Sequence, residues 1–297
     1  RRRRNPAGFI CVCVLPALIL TLFFTILPTI RACLLSFTNA TALSLNPKFC
    51  ALENYTYMFR DKSFLQALGN TFKLLAVVPV VTIALALILA FVIHQSKLPE
   101  RGLYRTVLYF PNLVSMTVVG IIWSFVFHPT MGLLTSLMKK IGLGQFVLPW
   151  AGNSRTALWC IAIALVWQAT GYYMIMHIAA MDGISPEIYE AATLDGASKL
   201  QKVWYITIPV LIPTAVTLFI LDVGHMMNLG FEKAYALQND SNRTTGEILS
   251  TYVYEQGIRD GNYSFSTAVS LFNSMINLVL ICLVNMISKK VSEISLW

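Results

Sequence analysis

A short polar segment lies between two long apolar runs near the middle of the chain. Its residues 185–209 read SPEIYEAATLDGASKLQKVWYITIP. Ser185 is a favourable N-cap residue, Pro186 fits the first helical position, and Glu187 complements the positive end of a helix. Gly196 ends the helix, because glycine readily takes a positive φ. The segment is therefore predicted to be a short helix that returns the chain to the next apolar run.

Long apolar runs also occur on both sides of this segment, from one end of the chain to the other. Hydrophobic residues make up 56% of the sequence and charged residues only 12%, about half the roughly 25% typical of a soluble domain. Lipid must therefore cover much of the surface. Runs of about 20 apolar residues predict helices that cross a bilayer. We expect an all-α integral membrane protein, with residues 1–297 forming one transmembrane domain of about six transmembrane helices. The predicted spans cover about residues 8–36, 71–94, 106–127, 156–181, 206–228 and 266–288.

The cations lie at the edges of the apolar runs and set the expected orientation. Their density is higher in alternate connecting segments, which favours cytoplasmic N- and C-termini. The short helix between the fourth and fifth spans is then cytoplasmic. The net charge of +8 does not form one stripe, so the lipid bilayer, and not nucleic acid, is the expected partner.

The polar segment resembles a known signature. The residues Glu190-Ala191-Ala192, then Gly196, then Ile206-Thr207-Ile208-Pro209 are similar to the EAA motif of ABC importer permeases. That motif is EAA, three residues, G, nine residues, then I-x-L-P. Every fixed position matches except the Leu, which is Ile208 here.

Further residues resemble the carbohydrate branch of this family, of the maltose-permease type. They are Asp195-Gly196-Ala197 and Pro213, which surround the motif. The stretch GFEKAY at residues 230–235 and the ending Ser295-Leu296-Trp297 look like permeases for complex plant or algal oligosaccharides.

This resemblance implies that the short helix is a coupling helix, seated in a cleft of a cytoplasmic ATPase. Glu190 would pair with a cation there, Ala191 and Ala192 would pack at the contact, and Gly196 would turn the chain back to the membrane. Asp195 and Ala197 complete the expected coupling residues. The implied partners are a second homologous permease subunit, two cytoplasmic ATPase subunits and an extracytoplasmic sugar-binding lipoprotein, in a bacterial cytoplasmic membrane.

The energy source is expected to lie on another subunit. The sequence contains no G-x-x-x-x-G-K-[ST] segment, the loop that cradles ATP phosphates. ATP and Mg²⁺ would therefore be used by the partner ATPase, and we expect this chain to be no enzyme and to bind no cofactor or metal. The predicted function is the membrane-spanning subunit of an ATP-driven, binding-protein-dependent oligosaccharide importer that works by alternating access.

Sugar sites combine aromatic faces with hydrogen-bonding side chains, and both occur in the fourth, fifth and sixth predicted spans. An Asp at mid-span is costly and by default suggests function, and Asp222 shares a helix face with His225. The aromatic residues could instead pack within the bundle or lie in the interfacial belt, and the Asn residues could join helices. The candidate substrate-binding residues are Trp167, Gln168, Tyr172, Tyr173, Asp222, His225, Asn228, Asn273 and Asn277.

Two other functions remain open. An ABC importer permease for a peptide, an amino acid or an anion would share the EAA motif, and only the uncharged polar and aromatic lining favours a sugar. A secondary carrier is less favoured, because the repeated P-x-[DE]-x-x-[KR] pattern of mitochondrial-type carriers does not occur in the sequence.

Overall fold

The chain is helical. A computed structural model describes residues 6–44, 46–95, 100–226, 230–239 and 242–292. In those ranges the only pairing of extended backbone is an isolated bridge between Thr38 and Phe49. The all-α prediction is confirmed. The α-helices are α1 (Pro6–Thr21), α2 (Leu27–Leu35), α3 (Glu53–Met58), α4 (Lys62–Gln95), α5 (Arg101–Leu113), α6 (Met116–Val126), α7 (Leu133–Lys140), α8 (Ala157–Asp182), α9 (Pro186–Leu194), α10 (Lys199–Lys202), α11 (Ile208–Met226), α12 (Phe231–Leu237), α13 (Arg243–Gly246), α14 (Leu249–Tyr254) and α15 (Tyr263–Ser292).

Several of these helices are long and apolar enough to cross a membrane. The pair α5 and α6 would make one more span, although the two helices meet at 99°. Within the described ranges this gives five or six spans, which confirms the expected number of about six. The five unbroken candidates are Val14–Leu35, Lys62–His94, Ala157–Asp182, Lys199–Gly224 and Tyr263–Lys290.

The chain divides into two units, residues 1–61 with 253–273 and residues 62–252 with 274–297. In the first unit, the most apolar stretch of the span Val14–Leu35 has no buried residue. Ser264 joins α15 to the segment after α2, because its hydroxyl accepts the Ala40 N–H at 2.8 Å.

Helix α8 is the centre of the second unit. It packs against α4, α5, α11 and α12, and 61% of its most apolar stretch is buried. Gly171 lies where α5 crosses α8, and a Cβ at this position would overlap the backbone carbonyl of Leu108. The absence of a side chain therefore lets two helix backbones meet.

The third predicted span is broken. Helix α5 ends at Leu113 and α6 begins at Met116, with Val114 in an extended conformation between them. Ser115 caps α6, because its side chain accepts the Val118 N–H at 3.3 Å. Hydropathy alone predicted one span over residues 106–127, because a capped break between two apolar helices leaves the hydropathy high.

Two spans contain a π-helical turn close to a proline. The turn Leu22–Ile26 comes just before Pro28, and the turn Val203–Thr207 comes just before Pro209. Proline has no N–H to donate to the carbonyl four residues earlier. In the second turn the Ile208 N–H donates to the Val203 carbonyl, five residues back. The π turn and the proline thus lie next to each other within a continuous helix.

The glycine at the α5–α8 crossing is expected to be intolerant of any side chain. Gly171→Ala should lower the free energy of unfolding by about 1–3 kcal/mol, because overpacking forces backbones apart. The matched control is Gly69→Ala in α4, where no atom lies within 4 Å of an added Cβ. That control should be neutral or stabilising by up to about 1 kcal/mol. Thermal unfolding of the purified protein measures both, and equal effects would contradict the close crossing.

Candidate functional site

A cavity of about 490 Å³ lies within the second unit. Its walls come from α4, the break between α5 and α6, and helices α8, α11 and α12. Its volume is in the range of small-molecule sites, about 300–1,000 Å³. The main polar side chains that line it are those of Asn112, Ser115, Gln168, Tyr172, Asp222 and Lys233.

The broken span forms one wall of this cavity. A helix break frees backbone groups, which must find partners within the protein at membrane depth. The side-chain amide of Gln168 donates to the Val114 carbonyl at 3.1 Å, and Ser115 caps the start of α6. Gln168 thus both stabilises the break and lines the cavity.

Two adjacent tyrosines of α8 and one carboxyl of α11 form a second part of the wall. The rings of Tyr172 and Tyr173 lie 5.5 Å apart, tilted by 59°. The Tyr173 hydroxyl lies close to the carboxyl of Asp222, which is 8% exposed. This set offers aromatic faces and hydrogen-bond acceptors together, which suits a polyhydroxylated ligand.

The structure brings together four of the nine predicted substrate residues, namely Gln168, Tyr172, Tyr173 and Asp222. Trp167 is outside the lining, and its ring meets that of Trp123 edge to face at 5.7 Å.

The remaining predicted residues do not line this cavity or lie outside the described residues. The Asn277 amide donates to the Gly224 carbonyl at 2.8 Å and so joins α15 to α11. Asn273 is buried in the first unit. The side chain of His225 and the whole of Asn228 lie outside the described residues. Substrate contact by each of these residues stays a prediction.

The sequence analysis missed three polar residues of the lining, Asn112, Ser115 and Lys233. The sequence contains little signal for Lys233, because the buried positions of α12 and its N-cap are 230, 233, 234 and 237, and only Ala234 and Leu237 have apolar side chains. This i, i+3, i+4, i+7 spacing is typical of a core-facing helix side. A lysine at a core position indicates a site that needs a cation.

The predicted coupling helix is α9. The Ser185 hydroxyl accepts the Glu187 N–H at 3.4 Å, Gly196 has φ +76°, and the Ala197 N–H donates to the Ala192 carbonyl at 2.9 Å. Ser185 and Gly196 therefore mark the two ends of α9, as the sequence predicted.

The predicted coupling residues lie on an accessible surface. Glu190, Ala191, Asp195 and Gly196 are exposed, while Ala192 and Ala197 are half-buried. Nearby, Leu194 is 89% exposed and Leu200 is 72% exposed. Apolar side chains exposed to this extent beside small residues suit contact with another protein, and their role in coupling stays a prediction.

Two bacterial permease proteins are similar to this chain over most of its length. The polygalacturonan/rhamnogalacturonan transport system permease protein YteP of Bacillus subtilis is 30% identical over 252 residues, which cover 84% of this chain and 77% of that protein. The diacetylchitobiose uptake system permease protein NgcF of Streptomyces coelicolor is 30% identical over 276 residues, 90% of this chain and 78% of that protein.

Solved structures show the same fold. A chain of a bacterial alginate ABC transporter, in complex with a periplasmic protein that holds an alginate pentasaccharide, superposes with a TM-score of 0.87. It is 23% identical, and the match covers 97% of this chain and 96% of that one. Residues 49–293 match the family described as the binding-protein-dependent transport system inner membrane component. The chain therefore belongs to this family of ABC importer permeases.

Proposed function

We propose that this chain is the membrane-spanning subunit of an importer that takes up an oligosaccharide by alternating access. The observation that carries the proposal is the cavity in which Gln168, Tyr172, Tyr173 and Asp222 meet. Support comes from relatives named for the transport of polygalacturonan or rhamnogalacturonan and of diacetylchitobiose. The members of its family are transport subunits and not enzymes, and this chain is one of them.

The proposed assembly contains a second homologous permease, two cytoplasmic ATPase subunits that use ATP and Mg²⁺, and an extracytoplasmic sugar-binding lipoprotein. The chain would cross the bacterial cytoplasmic membrane with both termini inside. The exposed surface of α9 supports this arrangement, because it offers small and apolar side chains outside the bundle.

One helix connects the cavity to the proposed ATPase contact. Helix α8 carries Tyr172 and Tyr173 at the cavity and ends at Asp182, about 15 Å from Tyr172 at 1.5 Å per residue. Helix α9 begins only four residues later, at Pro186. A displacement of α9 can therefore reach the tyrosines through a single helix.

A second connection runs to α11, which carries Asp222. The Tyr189 hydroxyl on α9 and the Thr207 hydroxyl at the base of α11 share a hydrogen bond of 2.8 Å. Lys202 also donates to the Thr193 hydroxyl at 2.6 Å. These bonds hold α9 against the start of α11, so α8 and α11, two of the helices that line the cavity, would follow α9 when the ATPase subunits close.

Charge reversal on α9 tests the proposed function. The full importer, reconstituted with binding protein, should hydrolyse ATP faster when the binding protein carries an oligosaccharide. Glu190→Lys should reduce this stimulation at least about tenfold, because disrupting an interfacial charge pair costs about 2–5 kcal/mol. The matched control, Glu53→Lys, changes an exposed acid at the start of α3 and should leave the stimulation unchanged.

The same assay separates the competing functions. Stimulation by peptide-, amino-acid- or anion-loaded binding protein, and not by sugar, would overturn the proposed substrate but keep the ABC importer. A complex that never responds to loaded binding protein would overturn the proposed function as a whole.

The hydrogen bond between Tyr189 and Thr207 is expected to transmit the movement of α9. Tyr189→Phe and Thr207→Val each remove this bond, so the double variant should lose little more than either single variant. The coupling energy from the double-mutant cycle should be about 1 kcal/mol. Sugar transported per ATP hydrolysed is the readout, with thermal unfolding in parallel. Additive losses would show that the two hydroxyls act independently.

A further inference from the structure

Lys233 is a buried cation at the wall of the cavity. It is 2% exposed and lines the same space as Tyr172, Tyr173 and Asp222. Among the described residues, no hydrogen bond and no ion pair within 4.0 Å holds its ammonium. Burying an unpaired charge is strongly destabilising. A lysine at such a position indicates that a negatively charged partner reaches it from the cavity.

The neighbouring acids do not supply this partner. Glu232 is adjacent in sequence on α12, and residues i and i+1 of a helix do not face each other. The negative charge of Glu232 raises the pKa of Lys233, but burial lowers it by more. The result is a pKa of about 8. The ammonium therefore remains mostly protonated near neutral pH. Among the described residues, no ion pair within 4.0 Å joins Asp222, on α11, to Lys233.

The start of α6 adds a second positive feature to the same cavity. Val114, Ser115 and Met116 line the space where α6 begins. The first N–H groups of a helix have no partner within it, and the helix dipole places about half a positive charge there. Half-helices that begin at membrane depth recognise anionic groups of substrates in this way in other transporters.

Close packing brings these two features together. Helix α12 packs against α6, and a Cβ on Gly120 would lie 2.7 Å from the Ala236 Cβ and 3.4 Å from the Lys233 Cα. Only glycine allows this approach. The lysine and the start of α6 thus face one cavity from two adjacent helices.

We infer that the imported oligosaccharide is acidic, and that its carboxylate binds between the Lys233 ammonium and the N-terminus of α6. The inference rests on the proposed function and specifies its substrate class. The tyrosine rings and the Asp222 carboxyl would contact the uncharged part of the sugar, where hydroxyls donate and ring faces stack.

The charge balance of the cavity favours a carboxylate over a phosphate. A phosphate carries about −1.5 to −2 charges at neutral pH and is preferentially held by arginine forks or several cations. The described lining contains one lysine and no arginine, and it also contains the Asp222 carboxyl. One ammonium and one helix N-terminus therefore offer too little positive charge to hold a dianion beside the Asp222 carboxyl.

The test compares two trisaccharides that differ only at C6 of each sugar residue, which is a carboxylate in one and a neutral hydroxymethyl group in the other. The importer complex in lipid nanodiscs is titrated calorimetrically with trigalacturonate and with its carboxyl-reduced, neutral trisaccharide. The unmodified complex should bind the acidic form at least about tenfold more tightly. Lys233→Met should bring the two affinities within about twofold without weakening the neutral ligand, and Lys233→Arg should restore part of the preference. The matched control Lys140→Met removes an exposed lysine at the end of α7 and should change nothing.

Stability measurements keep the result interpretable. Lys233→Met should unfold at an equal or higher temperature than the unmodified complex without ligand, because it removes a buried charge. Lys233→Gln serves as a second neutral variant if the methionine variant assembles poorly.

Four outcomes would overturn the inference. Equal binding of both trisaccharides by the unmodified complex, or equal weakening of both by Lys233→Met, would contradict the carboxylate site and leave the importer assignment intact. Tighter binding of a 6-phosphorylated trisaccharide would replace the carboxylate by a phosphate. If sugar neither binds nor stimulates ATP hydrolysis with loaded binding protein, the proposed function fails as well.

Discussion

The need to pair every backbone polar group at membrane depth governs this structure. A helix can be interrupted there only if the protein itself satisfies the carbonyl and N–H groups that the interruption releases. The break between α5 and α6 meets this condition, since Gln168 donates to the Val114 carbonyl and Ser115 caps the new helix. The cavity lies where the interrupted span turns away, so the paired break and the candidate site are one feature.

Helix α8 provides the surface on which the second unit is assembled. It supplies the amide that stabilises the break, the tyrosines of the cavity and the glycine at which α5 crosses closely. It then leads within a few residues into α9. Because so many contacts depend on one helix, its faces are occupied by different classes of residue, and its sequence shows little amphipathic pattern. Because the helix is buried on several sides, apolar residues occur all round it and hydropathy predicts it easily. The same lack of pattern means that hydropathy does not indicate which side faces the cavity.

The sequence was sufficient for the fold class, the number of spans and the ends of α9, because each depends on local signals. Apolar length marks a span, and Ser185 and Gly196 mark the ends of a helix. The break at Val114 was not predicted, since its stabilising partner, Gln168, is 54 residues away in the chain. The cavity was predicted in part. Mid-span polar residues such as Asp222 are conspicuous, whereas Lys233 lies in a short helix outside the long apolar runs, and its burial depends on tertiary packing.

The π turn at Val203–Thr207 has a consequence for the geometry of α11. An α-helix advances by about 100° per residue, so the one extra residue of a π turn rotates everything that follows by about that angle. The direction in which Asp222 points is therefore fixed at the N-terminal end of its helix, far from the carboxyl itself. A deletion of one residue at the turn would rotate Asp222 away from Tyr173 while leaving both residues unaltered. Insertions and deletions at such turns offer a route by which related permeases could reorient a whole helix face, and so alter their selectivity, without substituting a single residue of the cavity.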